Sequence, residues 1–164
     1  MVPGTRILLN NEMDDFVAKP GVANAYGLVG SSYNAIEPEK RMLSSMAPTI
    51  VTQEGRFVLA TGSPGGSRII TTVLQVLLNV IDHGYNIAEA SILPRIHHQW
   101  QPDILWLEKG IGVDTRSLLL ERGYICRNSY ASGSVQSILR RDGVYYGASD
   151  TRKTGALTVG LHQP

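Results

Sequence analysis

The sequence predicts an α/β sandwich whose strands run mainly antiparallel. Three observations predict it. Segments of strand and helix character alternate along the chain, one segment carries a strong helical apolar period, and two short polar turns join β-prone runs into hairpins. In order, Arg6 to Asn10 reads as a short buried strand, and Asp14 to Arg41 as a loop, because Pro20-Gly21, Gly27, Gly30 and Ser31-Ser32 interrupt any period. A loop that long in a compact domain usually has a function. Pro48 to Thr52 and Arg56 to Thr61 flank Gln53-Glu54-Gly55 as a hairpin. Ser67 to Asp82 is the principal helix: Ile70, Val73, Leu74, Leu77, Leu78 and Ile81 recur at the spacing that keeps one face dry, and Val76 and Val80 widen the stripe. A second helix runs from Asn86 to Leu93, with Asn86 as N-cap, Glu89 at the capping-box position and Pro94 as the stop. Asp114 to Glu121 forms a third, closed by Gly123. Ile104 to Glu108, Tyr124 to Arg127, Ser134 to Arg140 and Val144 to Ser149 read as strands, the last two joined by Arg141-Asp142-Gly143.

Length and composition bound the function. A chain of 164 residues with no repeat or low-complexity linker is read as a single unit, 1–164, and buries roughly 70% of the surface its unfolded form exposes. A formal charge of +1 is too small for the basic field that holds a phosphate backbone, so no nucleic-acid partner is expected. The single Cys126 has no internal disulfide partner and no zinc-ligand spacing around it, so it is read as a small buried apolar residue rather than a catalytic thiol. The opening MVPGTRILLNNEMDD lacks the features of a signal peptide. Ile69 to Ile81, the longest apolar segment, is interrupted by Thr71, Thr72, Gln75 and Asn79 and is shorter than the roughly 20 residues of a membrane span.

Four constellations could carry chemistry. Thr61-Gly62-Ser63-Pro64-Gly65-Gly66-Ser67 joins a strand to the start of the principal helix. Its glycine N–H groups, at the positive end of a helix dipole, suit an oxyanion or carboxylate, but on these residues alone a plain turn and cap is the favoured reading, since short glycine motifs are common and the lysine of a nucleotide loop is missing. Asn10-Asn11-Glu12-Met13-Asp14-Asp15 follows a strand with three acids, which either hold an ammonium group or form a solvated loop. Ser44-Ser45 offers two hydroxyl donors for a carboxylate, or a turn cap. His97-His98 are neighbours on a strand, point to opposite faces and cannot share one ion, so no metal is expected.

ILLNNEMDDF (Ile7 to Phe16), KPGVANAYGLVG (Lys19 to Gly30), LSSMAPTIV (Leu43 to Val51), TGSPGGSRIITTVLQ (Thr61 to Gln75), PRIHHQW (Pro94 to Trp100) and YGASDTR (Tyr146 to Arg152) together resemble the small subunit of bacterial γ-glutamyltranspeptidases, in order and over nearly the whole chain. The resemblance implies an N-terminal-nucleophile-hydrolase αββα sandwich, present here in part. It implies a precursor that cuts itself, so that a new N-terminal threonine attacks the γ-glutamyl amide of glutathione or a related compound and passes the acyl group to water or to an amino acid or peptide. The threonine's own α-amine serves as its base. Carried over by position, Glu12 and Asp15 hold the α-amino group of the glutamyl moiety, Ser44 and Ser45 its α-carboxylate, Gly65 and Gly66 the oxyanion, and Tyr26 lies in a lid over the pocket. No cofactor is implied.

The chain also departs from that pattern. It opens on Val2-Pro3-Gly4-Thr5, beyond the point where the resemblance places the nucleophile, and Thr5 lies in the loop before Arg6, where the family usually has a small residue. The expectation is therefore a γ-glutamyltransferase or glutathione hydrolase fragment, inactive alone. Its partners would be the large subunit or the missing N-terminal segment, with self-association through uncovered edges. The alternative is a non-catalytic remnant that binds γ-glutamyl compounds or associates with another subunit. Family members are usually periplasmic or secreted, and no location is assigned to this chain.

Overall fold

The computed structural model describes residues 3–8 and 12–161, which fall into two compact units, Met1–Ser45 and Met46–Pro164, each taken by itself. In the first unit no described residue is fully buried, so hydrogen bonds rather than an apolar core hold it. Two 3-10 turns, Glu12–Asp15 and Ser32–Asn34, are joined through Asn34. Its main-chain oxygen accepts from Val17 N at 2.8 Å, its Nδ2 donates to Asp15 O at 2.7 Å, and its Oδ1 accepts from Leu43 N at 3.2 Å. Between these turns the chain doubles back. Asn24 Oδ1 accepts from Tyr26 N at 2.9 Å and Leu28 N at 3.0 Å, and Ala23 bridges Val29. A Cβ on Gly30 would lie 2.1 Å from Val17 Cγ2, so only glycine fits where the loop closes.

Arg6–Leu8 forms no strand: Ile7 is 60% and Leu8 78% exposed, and no described strand pairs with them. A strand exists only through its ladder, and short apolar runs do not supply one. Leu9 and Asn10, the rest of that expected strand, lie outside the described residues.

The second unit holds β1 (Thr49–Gln53), β2 (Arg56–Gly62), α1 (Arg68–Ile81), α2 (Ile87–Ile92), β3 (Ile96–His97), β4 (Leu105–Glu108), α3 (Val113–Glu121), β5 (Cys126–Ser129), β6 (Gln136–Arg141) and β7 (Val144–Ser149). A four-stranded antiparallel sheet runs in the order β1-β2-β6-β7. A smaller sheet, β3-β4-β5, pairs β3 antiparallel and β5 parallel to β4. Both expected hairpins form. Their central residues, Glu54 (φ 52°) with Gly55 (φ 74°) and Asp142 (φ 52°) with Gly143 (φ 80°), take the doubly left-handed turn whose twist matches the strands.

The core joins the two central strands of the larger sheet to the helices: Leu59 and Leu139 cluster with Val76 and Val80 of α1, Ile87 and Ala90 of α2, and Val135 and Ala148. Asn86 caps α2 as expected, its Oδ1 accepting from Glu89 N at 2.9 Å. The buried stripe of α1, however, is Ile69, Thr72, Val73, Val76 and Val80. Ile70 is 70%, Leu74 49% and Ile81 57% exposed. Half of the predicted dry face is therefore uncovered in this chain, because a helical period fixes which residues share a face and not what lies against it. α3 buries none of its residues, and β5 begins two residues later than the sequence suggests, with Cys126 only half-buried. Among the described residues no helix is long and apolar enough to cross a membrane.

Candidate functional site

The turn leaving β2 enters α1 through Ser63, Pro64, Gly65, Gly66 and Ser67. Gly65 (φ 143°) and Gly66 (φ 57°) occupy backbone conformations that disfavour a side chain. Their carbonyls accept from Arg68 N at 3.2 Å and Ile69 N at 3.1 Å, starting the helix. No described residue accepts the N–H of Gly65 or Gly66, which leaves two unpaired donors at the positive end of a 14-residue helix.

A second loop braces this turn. A Cβ on Gly65 would meet Gly133 Cα at 3.5 Å, so the two backbones touch. Ser63 Oγ donates to Pro64 O at 2.7 Å and accepts from Ser134 N at 2.9 Å. On the same side, Arg68 Nη1 donates to Ser129 Oγ and, at 3.1 Å, to Ser132 Oγ, and its guanidinium lies 5.7 Å from the Trp106 ring centroid. Among the described residues no carboxylate pairs with Arg68, so its charge adds to that of the helix terminus.

Behind the brace lies a buried ionic network. Arg95 Nη2 pairs with Asp150 Oδ2 at 2.8 Å, Arg152 Nη1 with Asp150 Oδ1 at 3.0 Å, and Arg152 Nη2 with Glu108 Oε2 at 2.6 Å. The carboxylates are also met by backbone donors: Glu108 by Arg95 N at 3.0 Å and by Ser132 N, and Asp150 by Val135 N at 3.0 Å and Arg152 N at 2.9 Å. Burial alone would push the Asp150 carboxyl up; those two N–H groups and Arg95 outweigh it and hold the pKa below its ordinary value. The network fixes the start of the 132–134 loop, which in turn fixes the glycine turn.

His97, buried in β3, bonds Thr71 Oγ1 through Nδ1 at 2.8 Å and Gln99 Oε1 through Nε2 at 2.9 Å. Ser67 Oγ donates to the same Gln99 oxygen at 2.8 Å. His98, expected on the strand, lies just beyond the end of β3, and its Nε2 bonds Asp103 Oδ1 at 2.9 Å, so the two histidines have separate partners. Burial holds the His97 pKa below its ordinary value, against the hydrogen bond to Gln99, which raises it. An unfolded chain therefore takes up this proton first. The stability that neutral His97 confers is complete above pH ~6.5 and is lost as pH falls below it, until the depressed folded value is passed. In His97→Gln the urea midpoint is expected to fall less steeply between about pH 6.5 and 5 than in the parent. Equal slopes would contradict this.

The expected site residues divide between the units. Glu12 and Asp15, both partly buried, sit on the first 3-10 turn, Tyr26 at the exposed tip of the Ala23–Val29 loop, and Ser44 and Ser45 at the end of the first unit. Within that unit Asn34 ties the Asp15 turn to the segment leading into Ser44. Gly65 and Gly66 belong to the second unit. Sequence reasoning missed Asn34, Gly133 and the ionic network. PRIHHQW supplied Arg95, YGASDTR supplied Asp150 and Arg152, and the strand ending at Glu108 supplied the fourth member, but nothing in these segments shows that their charges meet.

The family model described as gamma-glutamyltranspeptidase matches residues 1–160. The chain belongs to that family. It is 59% identical over 155 residues to the glutathione hydrolase proenzyme of Escherichia coli strain K12, covering 94% of this chain and 27% of that protein. The structure of a Helicobacter pylori gamma-glutamyltranspeptidase mutant is 52% identical with a TM-score of 0.87, over 93% of this chain and 85% of that one. The Pseudomonas nitroreducens enzyme, solved in complex with L-DON, is 44% identical with a TM-score of 0.87, over 98% and 85%. The fold is accordingly the α+β, N-terminal-nucleophile-hydrolase type of γ-glutamyltranspeptidases, and the chain spans about a quarter of the length of the curated relative, in its C-terminal part.

Proposed function

We propose that this chain is the glutamyl-gripping and oxyanion-stabilising part of a γ-glutamyltransferase or glutathione hydrolase. The reading is supported chiefly by the paired, unsatisfied N–H groups of Gly65 and Gly66 at the start of α1, beside an uncompensated Arg68. When a hydroxyl oxygen attacks the γ-carbonyl carbon, negative charge develops on the carbonyl oxygen, and fixed donors stabilise it without reorganising. Glu12 and Asp15 take the α-ammonium of the glutamyl group, Ser44 and Ser45 its α-carboxylate, and Tyr26 lies over it. The hydroxyls nearest the turn are otherwise engaged: Ser63 with Pro64 and Ser134, Ser67 with Gln99. The attacking oxygen is that of the threonine which the likeness to γ-glutamyltranspeptidases implies, in a segment that pairs with the chain together with a large subunit.

The 164-residue chain alone is expected to leave a chromogenic γ-glutamyl anilide uncut, and to release the aniline once mixed with the complementary N-terminal portion of a relative's precursor. Turnover by the chain alone, abolished by changing one of its own Ser or Thr residues, would overturn the proposal. The uncovered Ile70, Leu74 and Ile81 of α1 favour a second reading, a subunit-association module. Co-elution of the two portions without turnover would select it.

A further inference from the structure

We propose that Asn34 is a positioning residue that keeps the two halves of the glutamyl head-group site in register. This rests on the reading above, in which Glu12 and Asp15 meet the α-ammonium and Ser44 and Ser45 the α-carboxylate. Both ends of the Asn34 amide are used. Nδ2 donates to the main-chain oxygen of Asp15 at 2.7 Å, fixing the turn that carries both acids, and Oδ1 accepts from Leu43 N at 3.2 Å, the residue immediately before Ser44. The residue is itself anchored, its main-chain oxygen accepting from Val17 N at 2.8 Å and its N–H donating to Ser31 O at 3.2 Å.

Two segments distant in the sequence are thus joined through one partly buried side chain. Only a group with a donor and an acceptor on one planar head can make both bonds. A carboxylate of the same shape keeps the acceptor for Leu43 N and places an acceptor against the Asp15 carbonyl. No described residue of this unit is fully buried, so packing does not substitute for the bridge. Recognition of the ammonium and of the carboxylate are therefore coupled through a residue that touches neither.

The test titrates the full chain calorimetrically with L-glutamate, with glutarate, which lacks the α-amine, and with 4-aminobutyrate, which lacks the α-carboxylate. The parent is expected to prefer glutamate to both analogues. Asn34→Asp is expected to weaken glutamate binding about tenfold, as for one lost anchoring interaction, while binding of the analogues changes little, so that the preference collapses. Asn34→Gln, which retains the donor and acceptor, is expected to recover part of it. Retained binding of the two analogues, together with an unchanged far-UV circular dichroism spectrum, serves as the folding control for the first unit, to which Asn34 belongs. Unchanged preference in Asn34→Asp, or an equal loss for all three ligands, would overturn the positioning role. A parent chain without preference for glutamate would instead overturn the underlying assignment of Glu12, Asp15, Ser44 and Ser45, and the role of Asn34 with it.

Discussion

Asp150→Ala is expected to destabilise the second unit by about 3–5 kcal/mol, the usual cost of leaving one member of a buried ion pair without its partner. Arg95 is 2% and Asp150 0% exposed, so water cannot replace the lost carboxylate. The substitution also strips the acceptor from Val135 N and Arg152 N, two backbone donors that then remain unsatisfied. Arg152 retains Glu108, so the damage concentrates on Arg95. Urea unfolding measures the loss. A change below about 1 kcal/mol, the scale of an exposed pair, would show that the network is solvated in solution. The double variant Arg95→Met with Asp150→Leu should recover much of the stability, because removing both charges also removes the desolvation cost. Acid should mimic the single variant. The Asp150 pKa is depressed in the folded state, so its contribution is present above the ordinary carboxylate range and is lost as pH falls through the folded value.

Gly133→Ala is expected to cost the complemented enzyme about 3 kcal/mol of transition-state stabilisation, on the order of 10²-fold in kcat with KM nearly unchanged. The new Cβ would lie 2.3 Å from Ser63 Oγ and 3.1 Å from Pro64 O, so the glycine turn must shift. Under the proposed oxyanion role, displacing Gly65 and Gly66 changes where their N–H groups point, which matters only when charge appears on the carbonyl oxygen. Backbone strain at a left-handed position is a separate effect, and Gly143→Ala isolates it. Gly143 has φ 80° against 75° for Gly133, with nothing within 4 Å of its Cβ. If the two variants lose activity equally, the clash is irrelevant and the brace does not position the turn.

Local features were legible in the sequence. The hairpin turns, the Asn86 cap and the existence of α1 each depend on neighbouring residues, and each formed where its pattern lay. The tight turn through Gly65 and Gly66 was legible for the same reason. The failures share a different cause. The expected Arg6 strand needed a pairing partner, and the orientation of α1 depended on which elements lie against it, so Ile69 and Thr72 were buried while Ile70 and Leu74 were not. The ionic network joins Arg95, Glu108, Asp150 and Arg152, whose charges reveal nothing about one another until the chain folds. Asn34 went unread because an asparagine in a serine-rich turn looks like a turn residue, and its value lies in a carbonyl and an N–H far along the chain.

The oily ridge along α1 carries one more implication. A surface of this kind couples thermodynamic resilience to the concentration of whatever can cover it: whenever it meets a matching surface, whether on a sister molecule or another polypeptide, the bound form gains by mass action. Dilution should then lower the melting temperature, and any value quoted for this molecule acquires meaning only beside the amount in the tube.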